Sequence, residues 1–141
     1  MKEVAVGIIL RDGRVLACQR RRDARYALKW EFPGGKLENG ETPNHALIRE
    51  LREELGIQAR VHREFFRQEW TYADGTTDQR RDSAYRVFYF LIRDFDGEPQ
   101  NHAFEQLRWT RPDELQRMDI LEGNREAVAR LVKYVEAEQT A

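Results

Sequence analysis

The stretch 35–57 constrains this chain more than any other, because it contains a well-delimited helix signal and a dense group of acidic residues. Thr42 is suited to cap a helix N-terminus, Pro43 fits the first turn, and Gly56 fits the left-handed residue that often follows a helix. At 3.6 residues per turn, one face of this helix is apolar. That face carries Leu47, Ile48, Leu51 and Leu55. We therefore predict an amphipathic helix over 43–55 that packs on a hydrophobic core.

The same helix carries Glu50, Glu53 and Glu54, whose spacing brings three carboxylates to one face. Two carboxylates about 6 Å apart repel by roughly 3 kcal/mol at an effective dielectric constant of about 20. Arg49 and Arg52 are too few to neutralise all the acidic groups of this stretch. A divalent cation with oxygen ligands would remove the repulsion, and Mg²⁺ is the usual choice beside phosphates. A solvated acidic face with internal salt bridges is an equally good account, so the charges alone leave both interpretations open.

The residue pattern distinguishes these interpretations. From Gly35 the sequence reads G-x5-E-x7-R-E-L-x-E-E-x-G-I, with Glu41 at the first acidic position. This pattern is similar, at every defining position, to the box motif of the Nudix hydrolases. The preceding segment 30–36, WEFPGGK, resembles that of the MutT-like branch, the 8-oxo-dGTP diphosphatase type. The resemblance implies an α/β fold, the Nudix α/β/α sandwich with a central mixed β-sheet, in a single domain over residues 1–141.

The resemblance also implies a metal site with oxygen ligands, and Mg²⁺ as the cofactor, with Mn²⁺ as a substitute. The expected ligands are the Gly34 carbonyl and the carboxylates of Glu50, Glu53, Glu54 and Glu105. Glu105 is expected because it stands four residues before Trp109, in a loop from which many family members draw a further acidic ligand. Its alternative is a plain surface glutamate.

For catalysis, the resemblance implies that Glu50 or Glu53 acts as the general base that activates water, without ranking the two. Arg49 is expected to orient the glutamates by pairing with them, and Glu41 to brace the adjoining loop. The substrate-binding residues implied by the same resemblance are Arg20, Arg25, Glu31, Phe32, Lys36 and Asn124.

Phe32 is expected to pack against the base, and Arg20 to contact phosphate or sugar. Asn124 aligns with an asparagine that reads the purine edge in 8-oxoguanine nucleotide hydrolases, although an asparagine there also suits a helix N-cap. Two features leave the identity of the substrate's nucleobase undecided. Arg25 stands where the MutT-like branch can have a histidine, and the loop 73–82 is long and charged, so pyrimidine nucleotides remain an alternative.

The expected activity is therefore Mg²⁺-dependent hydrolysis of a nucleoside triphosphate to nucleoside monophosphate and pyrophosphate. The expected role is removal of oxidised purine nucleotides such as 8-oxo-dGTP. Alternatives with the same chemistry act on CTP or dCTP, nucleotide sugars or dinucleotide polyphosphates. An alternative of another class is a catalytically silent nucleotide-binding regulatory module, which the intact run 49–54 argues against.

Composition and charge argue against several other classes of protein and partner. The net charge is −1, so a nucleic-acid polymer is not expected as a partner. The apolar run 4–10 is too short to span a membrane, and Cys18 is the only cysteine, which favours a core position and a cytoplasmic protein. A monomer and a homodimer are both compatible with the apolar strand predicted over 84–92.

Hydrophobic patterning predicts the remaining elements. Strands are expected over 3–10, 14–19, 30–32, 57–72, 84–92 and 107–109, with a turn over 33–35. A short helix is expected from Thr110 and a final helix over 124–138. Trp70, Tyr72 and the tyrosines of 85–89 are interpreted as core and cross-strand packing residues.

Overall fold

The structure is a computed structural model that describes residues 1–72 and 84–140. The loop expected over 73–82 lies outside the described residues. In chain order the elements are β1 (Lys2–Arg11), β2 (Arg14–Gln19), β3 (Trp30–Glu31), β4 (Gly34–Lys36), α1 (Pro43–Leu55), β5 (Gln58–Ala59), β6 (Glu64–Thr71), β7 (Ala84–Ile92), β8 (Phe95–Asp96), β9 (Gln106–Thr110), α2 (Pro112–Gln116) and α3 (Arg125–Thr140). A 3₁₀ turn, Glu122–Asn124, immediately precedes α3.

The central sheet is mixed, as expected. Its strand order is β3-β2-β1-β7-β6, with β4 added to β1 and β9 added to β2. β1 and β7 run parallel in register from Lys2↔Tyr85 to Ile9↔Ile92, and the other pairs are antiparallel. Parallel pairing places β1 at the centre of the sheet, where its near-continuous apolar sequence can be buried on both faces.

Each face of the sheet packs against a helix. Successive side chains of a strand point to opposite faces, so Ala5 and Ile9 of β1 join the core beneath α1, while Ile8 joins the core beneath α3. The buried helix residues are Ala46, Leu47, Leu51 and Leu55 of α1, and Ala127, Val128 and Leu131 of α3. The two cores confirm the α/β/α sandwich. None of the helices in 1–72 and 84–140 is both long and apolar enough to cross a bilayer.

The helix α1 has the predicted ends. The Thr42 hydroxyl accepts a hydrogen bond from His45 N at 3.2 Å. Gly56 is left-handed, with φ of 68°, and its N–H donates to Arg52 O at 3.0 Å. These caps fix where α1 starts and stops, and hence which of its residues face the sheet.

Three predicted boundaries are wrong. The expected strand 57–72 is two strands, β5 and β6. Arg60 N donates to Asp94 O, and the Arg60 guanidinium pairs with Asp94 and Asp96. These contacts direct β5 to pair with β8 and separate it from β6. The expected turn over 33–35 is partly a strand, since Gly34 and Gly35 pair with β1. The final helix begins at Arg125, after the 3₁₀ turn.

Candidate active site

A cleft of about 440 Å³ opens between β4, the β2–β3 loop and the 3₁₀ turn. It brings together all six residues expected to bind substrate, namely Arg20, Arg25, Glu31, Phe32, Lys36 and Asn124. Gly34 and Glu54, two of the expected metal ligands, line the same cleft. A separate depression of about 520 Å³ between β9 and α2 contains none of the expected site residues. The cleft is therefore the candidate active site.

Glu54 is the most buried of the helix glutamates. Its Oε1 accepts a hydrogen bond from Gly34 N at 2.9 Å, which ties α1 to β4. Burial raises the pKa of Glu54 to about 8; the Gly34 N–H opposes this shift, and the charges of Glu50, Glu31 and Glu53 add to it. Ionising this carboxylate at neutral pH therefore requires a compensating positive charge.

Glu50 lies directly against β4. A Cβ at Gly35 would stand 2.4 Å from Glu50 Cδ, so only glycine leaves room for the carboxylate there. Glu50 Oε1 accepts from Arg49 Nη1 at 2.9 Å, but burial outweighs this bond and raises the pKa of Glu50. Glu53 is the most open of the three glutamates, with a side chain 58% exposed and 3.4 Å from Arg49 Nη1.

Arg49 makes several ion pairs beside the charged end of the cleft, where Gly34, Lys36 and Glu54 lie, although Arg49 itself does not line the cleft. It binds Glu41 through two bonds of 2.8 Å, from Nε and Nη2, and also donates to Lys36 O at 3.2 Å. The hydrogen bonds from Arg49 and from Glu38 N lower the pKa of Glu41 to about 2. Arg49 therefore joins the loop before α1 to Glu50 and Glu53, which is the geometry expected of a residue that orients them.

The donor set can be tested for its fit to a metal ion. Among the residues that the structure describes, no three His, Cys, Asp or Glu side chains form a ready metal site, because Glu54 turns to Gly34 while Glu50 and Glu53 turn to Arg49. The donors are nevertheless all oxygen atoms, and burial raises the pKa of both Glu50 and Glu54. A hard divalent cation would let these groups ionise together, so the chemistry of the set fits one.

The structure places Glu105 elsewhere. Its carboxylate accepts from Arg22 Nη2 at 2.8 Å and from Arg22 N at 3.2 Å, and these bonds lower the pKa of Glu105. Glu105 thus pairs with the β2–β3 loop and not with the helix glutamates. Its role as a metal ligand stays a prediction that this geometry does not support.

At the other end of the cleft, the aromatic end, the Asn124 side chain links Phe32 to Tyr89 by hydrogen bonds. Its Oδ1 accepts from Phe32 N at 3.4 Å, and its Nδ2 donates to the Tyr89 hydroxyl at 2.9 Å. The Tyr89 hydroxyl donates in turn to Gly123 O at 3.2 Å. The Asn124 amide is used in these bonds instead of capping α3, so the helix N-cap interpretation is wrong.

A partly buried ion pair lies between the two ends. Arg20 Nη1 donates to Glu31 Oε1 at 3.0 Å, and Arg20 Nε donates to Arg25 O at 2.7 Å. Burial raises the pKa of Glu31, and Arg20 opposes the shift. The pair therefore places a charged donor and a charged acceptor inside the cleft.

Sequence reasoning missed the aromatic lining. Tyr26, Trp70, Tyr72 and Tyr85 all line the cleft. Trp70 and Tyr85 are cross-strand partners, as expected of packing residues, but their position at the ends of β6 and β7 also exposes them to the cleft. The available signal was the i, i+2 spacing of Trp70 and Tyr72, which places both side chains on one face of the strand.

An acidic helix beside an aromatic-lined cleft suits a site that holds a cation at one end and an apolar ring system at the other. The family model described as the NUDIX domain matches residues 1–131. The chain therefore belongs to the Nudix family, and it is a Nudix pyrophosphohydrolase of MutT-like type. Nudix hydrolases require a divalent metal ion.

Similar proteins support this assignment. The chain is 38% identical over 117 residues to the CTP pyrophosphohydrolase of Escherichia coli K12, covering 81% of this chain and 78% of that protein. It is 33% identical over 130 residues to the 8-oxo-dGTP diphosphatase of the same organism, covering 92% and 95%.

Solved structures agree with the expected fold. The solution structure of the E. coli ORF135 protein has a TM-score of 0.78 and 32% identity, covering 92% of this chain and 86% of that one. A structure from a study of MutT from Aliivibrio salmonicida and Vibrio cholerae has a TM-score of 0.76 and 26% identity, covering 94% and 98%.

Proposed function

We propose that this protein hydrolyses a nucleoside triphosphate to nucleoside monophosphate and pyrophosphate with Mg²⁺, and that it removes oxidised purine nucleotides such as 8-oxo-dGTP from the cytoplasmic nucleotide pool. The observation that carries the proposal is the single cleft that joins Glu54 and Gly34 at one end to Phe32 and Asn124 at the other. A triphosphate needs charge compensation at its phosphates, and a base needs an apolar wall, so one ligand would use both ends.

The carboxylates of Glu50, Glu53 and Glu54 and the Gly34 carbonyl would hold the cation. When bound, the cation would offset the charge of the phosphates and favour attack by water. Arg49 holds Glu50 and Glu53 on one side and the loop at Glu41 on the other. Arg49 is therefore a positioning residue in this proposal.

We assign the general base to Glu50. Its carboxylate lies directly against Gly35 of β4 and accepts from Arg49 Nη1 at 2.9 Å, so its orientation in the site is fixed, whereas the Glu53 side chain is 58% exposed. Lys36 lies beside Gly34 and Gly35 at the charged end of the cleft, and Arg20 lies beside Glu31. These two cations would bind phosphate oxygens and reduce the repulsion that an incoming triphosphate meets from the glutamates.

The base would lie against Phe32, whose ring meets Tyr89 edge-on at 6.3 Å. Asn124 retains a second amide hydrogen and further acceptor capacity beyond its bonds to Tyr89 and Phe32. It can therefore offer both a donor and an acceptor to a purine edge. This pairing supports a guanine-type base.

A second candidate substrate is CTP or dCTP. The relative named as a CTP pyrophosphohydrolase shares 38% identity with this chain, and Arg25 lines the cleft where the MutT-like branch can have a histidine. Both candidates require the same reaction at the same phosphates and differ only in the base.

Pyrophosphate release across 8-oxo-dGTP, dGTP, CTP and dCTP, with Mg²⁺ and with a chelator, tests the proposal. We expect metal-dependent release, with 8-oxo-dGTP giving the highest kcat/KM. Higher kcat/KM for CTP would move the assignment to the second candidate. Release that survives the chelator would contradict the metal assignment, and no turnover of any triphosphate would overturn the proposed activity.

A further inference from the structure

Two tyrosine rings from distant parts of the chain meet at the cleft. Tyr26 belongs to the β2–β3 loop and Tyr72 directly follows β6, and both line the cleft. Their ring centroids are 5.0 Å apart, with the planes inclined by 37°. The guanidinium carbon of Arg25 lies 5.1 Å from the centroid of Tyr26. The contact therefore joins a basic loop to the edge of the sheet.

The backbone of Tyr26 is in a strained conformation. Its φ is +54°, in the left-handed region that disfavours residues with a Cβ. The surrounding loop holds it there, because Arg20 N donates to Lys29 O at 2.9 Å and Leu28 N donates to Arg20 O at 3.0 Å. Such strain persists where the surrounding structure over-determines it, and it concentrates at ligand sites. In this conformation the Tyr26 ring lies against the Tyr72 ring.

The ring of Tyr72, which Tyr26 contacts, is held in place by its neighbours. Gly123 N donates to the Tyr72 hydroxyl at 3.2 Å, and a Cβ at Gly123 would stand 2.3 Å from that oxygen. The rings of Trp70 and Tyr85 make T-shaped contacts with the Tyr72 ring at centroid distances of 6.0 and 6.1 Å. The 3₁₀ turn that carries Asn124 therefore also sets the position of Tyr72.

We propose that Tyr26 and Tyr72 form a stacking wall for the nucleotide base, and that Tyr26 sets a preference for purines over pyrimidines. The inference rests on the proposed function, because it takes a nucleotide as the ligand. No base enters between rings 5.0 Å apart, so the base lies against the cleft-facing side of the pair. A purine covers more of such a wall than a pyrimidine does, and stacking on aromatic side chains follows the overlapping area.

The test is equilibrium binding, in the presence of Mg²⁺, of non-hydrolysable triphosphate analogues of one purine and one pyrimidine nucleoside. For Tyr26→Ala we expect about tenfold weaker binding of the purine analogue and only about threefold weaker binding of the pyrimidine analogue. In turnover, KM for the purine substrate should rise by a similar factor while kcat stays unchanged, because stacking acts equally on bound substrate and transition state.

Two variants serve as controls. Tyr26→Phe keeps the ring and should bind both analogues as the wild type does. Leu28→Ala changes another left-handed residue of the same loop, with φ of +63° and 41% exposure, that does not line the cleft. It should also leave both affinities unchanged. Tyr26→Asn, which tolerates the left-handed region, repeats the ring deletion if the alanine variant does not fold.

Equal weakening of both analogues in Tyr26→Ala would overturn the inference, as would the same effect in Leu28→Ala. A wild type that binds neither analogue would also overturn it. If the wild type binds the analogues but hydrolyses no triphosphate, the proposed function fails, while the ratio of the two affinities still decides the role of Tyr26.

Discussion

The two ends of the cleft are built in different ways. The charged end comes from one helix and the strand beside it: Gly34 and Glu54, its bonded pair, are 20 residues apart. The aromatic end is assembled from distant segments: Phe32 and Asn124, its bonded pair, are 92 residues apart. A motif that is local in the sequence can be read directly, whereas a pocket assembled across the fold depends on strand register and on the connections between elements.

The two ends also differ in how well their buried polar groups are stabilised. At the charged end, Glu50 and Glu54 are held where burial opposes their ionisation. At the aromatic end, the polar groups of Asn124, Tyr89 and Gly123 bond to one another. We therefore expect loss of a glutamate charge at the charged end to affect activity more than stability, and changes at the aromatic end to affect substrate binding.

The largest effect is expected from Glu53→Gln and Glu54→Gln. Each removes a charge from the proposed cation site, and we expect kcat to fall at least about 100-fold, since even outer partners of metal ligands cost 10- to 100-fold. Glu126→Gln, on the exposed face of α3 where Glu126 pairs with Arg130, is the matched control. Circular dichroism should show an unchanged fold in all three. Full activity in both site variants would refute the metal assignment.

The adjacent glycines of β4 should separate stability from activity. A Cβ at Gly34 would stand 2.1 Å from Ala5 O and its φ is +148°, so Gly34→Ala meets backbone and should lower the free energy of unfolding by about 3 kcal/mol. The three atoms nearest to a Cβ at Gly35 all belong to the Glu50 carboxylate, the end of a flexible side chain. Gly35→Ala should therefore remain folded and lose activity. Urea unfolding and pyrophosphate release measure the two effects; similar stability losses in both variants would contradict this distinction.

The stability of the metal-free protein should depend on pH through Glu54. The unfolded chain ionises this group near 4.5 and the folded chain at about 8. The folded state therefore binds the extra proton between these values, and stability falls as pH rises from about 4.5 to about 8, then levels off. Thermal melting in a chelator should show this fall in the wild type and a smaller one in Glu54→Gln. Parallel curves for the two proteins would contradict the assignment of this titration to Glu54.

The smallest effect is expected from Gly123→Ala at the aromatic end. The new methyl group would displace the Tyr72 hydroxyl, and we expect KM to rise by a few-fold, roughly threefold, through weaker stacking of the base. The value of kcat should stay unchanged, because the charged end is untouched. Steady-state kinetics measure both values. A fall in kcat with constant KM would show that the two ends of the cleft are coupled.

Much of the fold was predictable from local patterns. The caps Thr42 and Gly56 delimit α1 as predicted, and the apolar runs mark β1, β2 and β7. The break between β5 and β6 was not predictable, because it depends on Arg60 meeting Asp94 and Asp96 from a segment more than 30 residues later. Local propensity carries no information about such a pairing.

The site, like the fold, has features that local sequence patterns predict and features that depend on distant contacts. The substrate residues expected from the resemblance all line one cleft, and so do Trp70, Tyr72 and Tyr85, which the sequence predicts only as packing residues. Their burial pattern is the same for a core and for a cleft wall, so the distinction needs the position of the strand ends. Glu105 is predicted from the resemblance and from its spacing to Trp109, whereas its pairing with Arg22 across 83 residues could not be predicted from the sequence.

The sequence by itself determined the helix 43–55, its acidic face and the family to which the chain belongs. These depend on spacing within a few turns of one helix, where geometry follows from residue order. Only the tertiary structure decided that Tyr26 meets Tyr72 and that Asn124 links Phe32 to Tyr89. Those contacts are set by the parallel pairing of β1 with β7 and by a strained loop, and both arise from the packing of the whole chain.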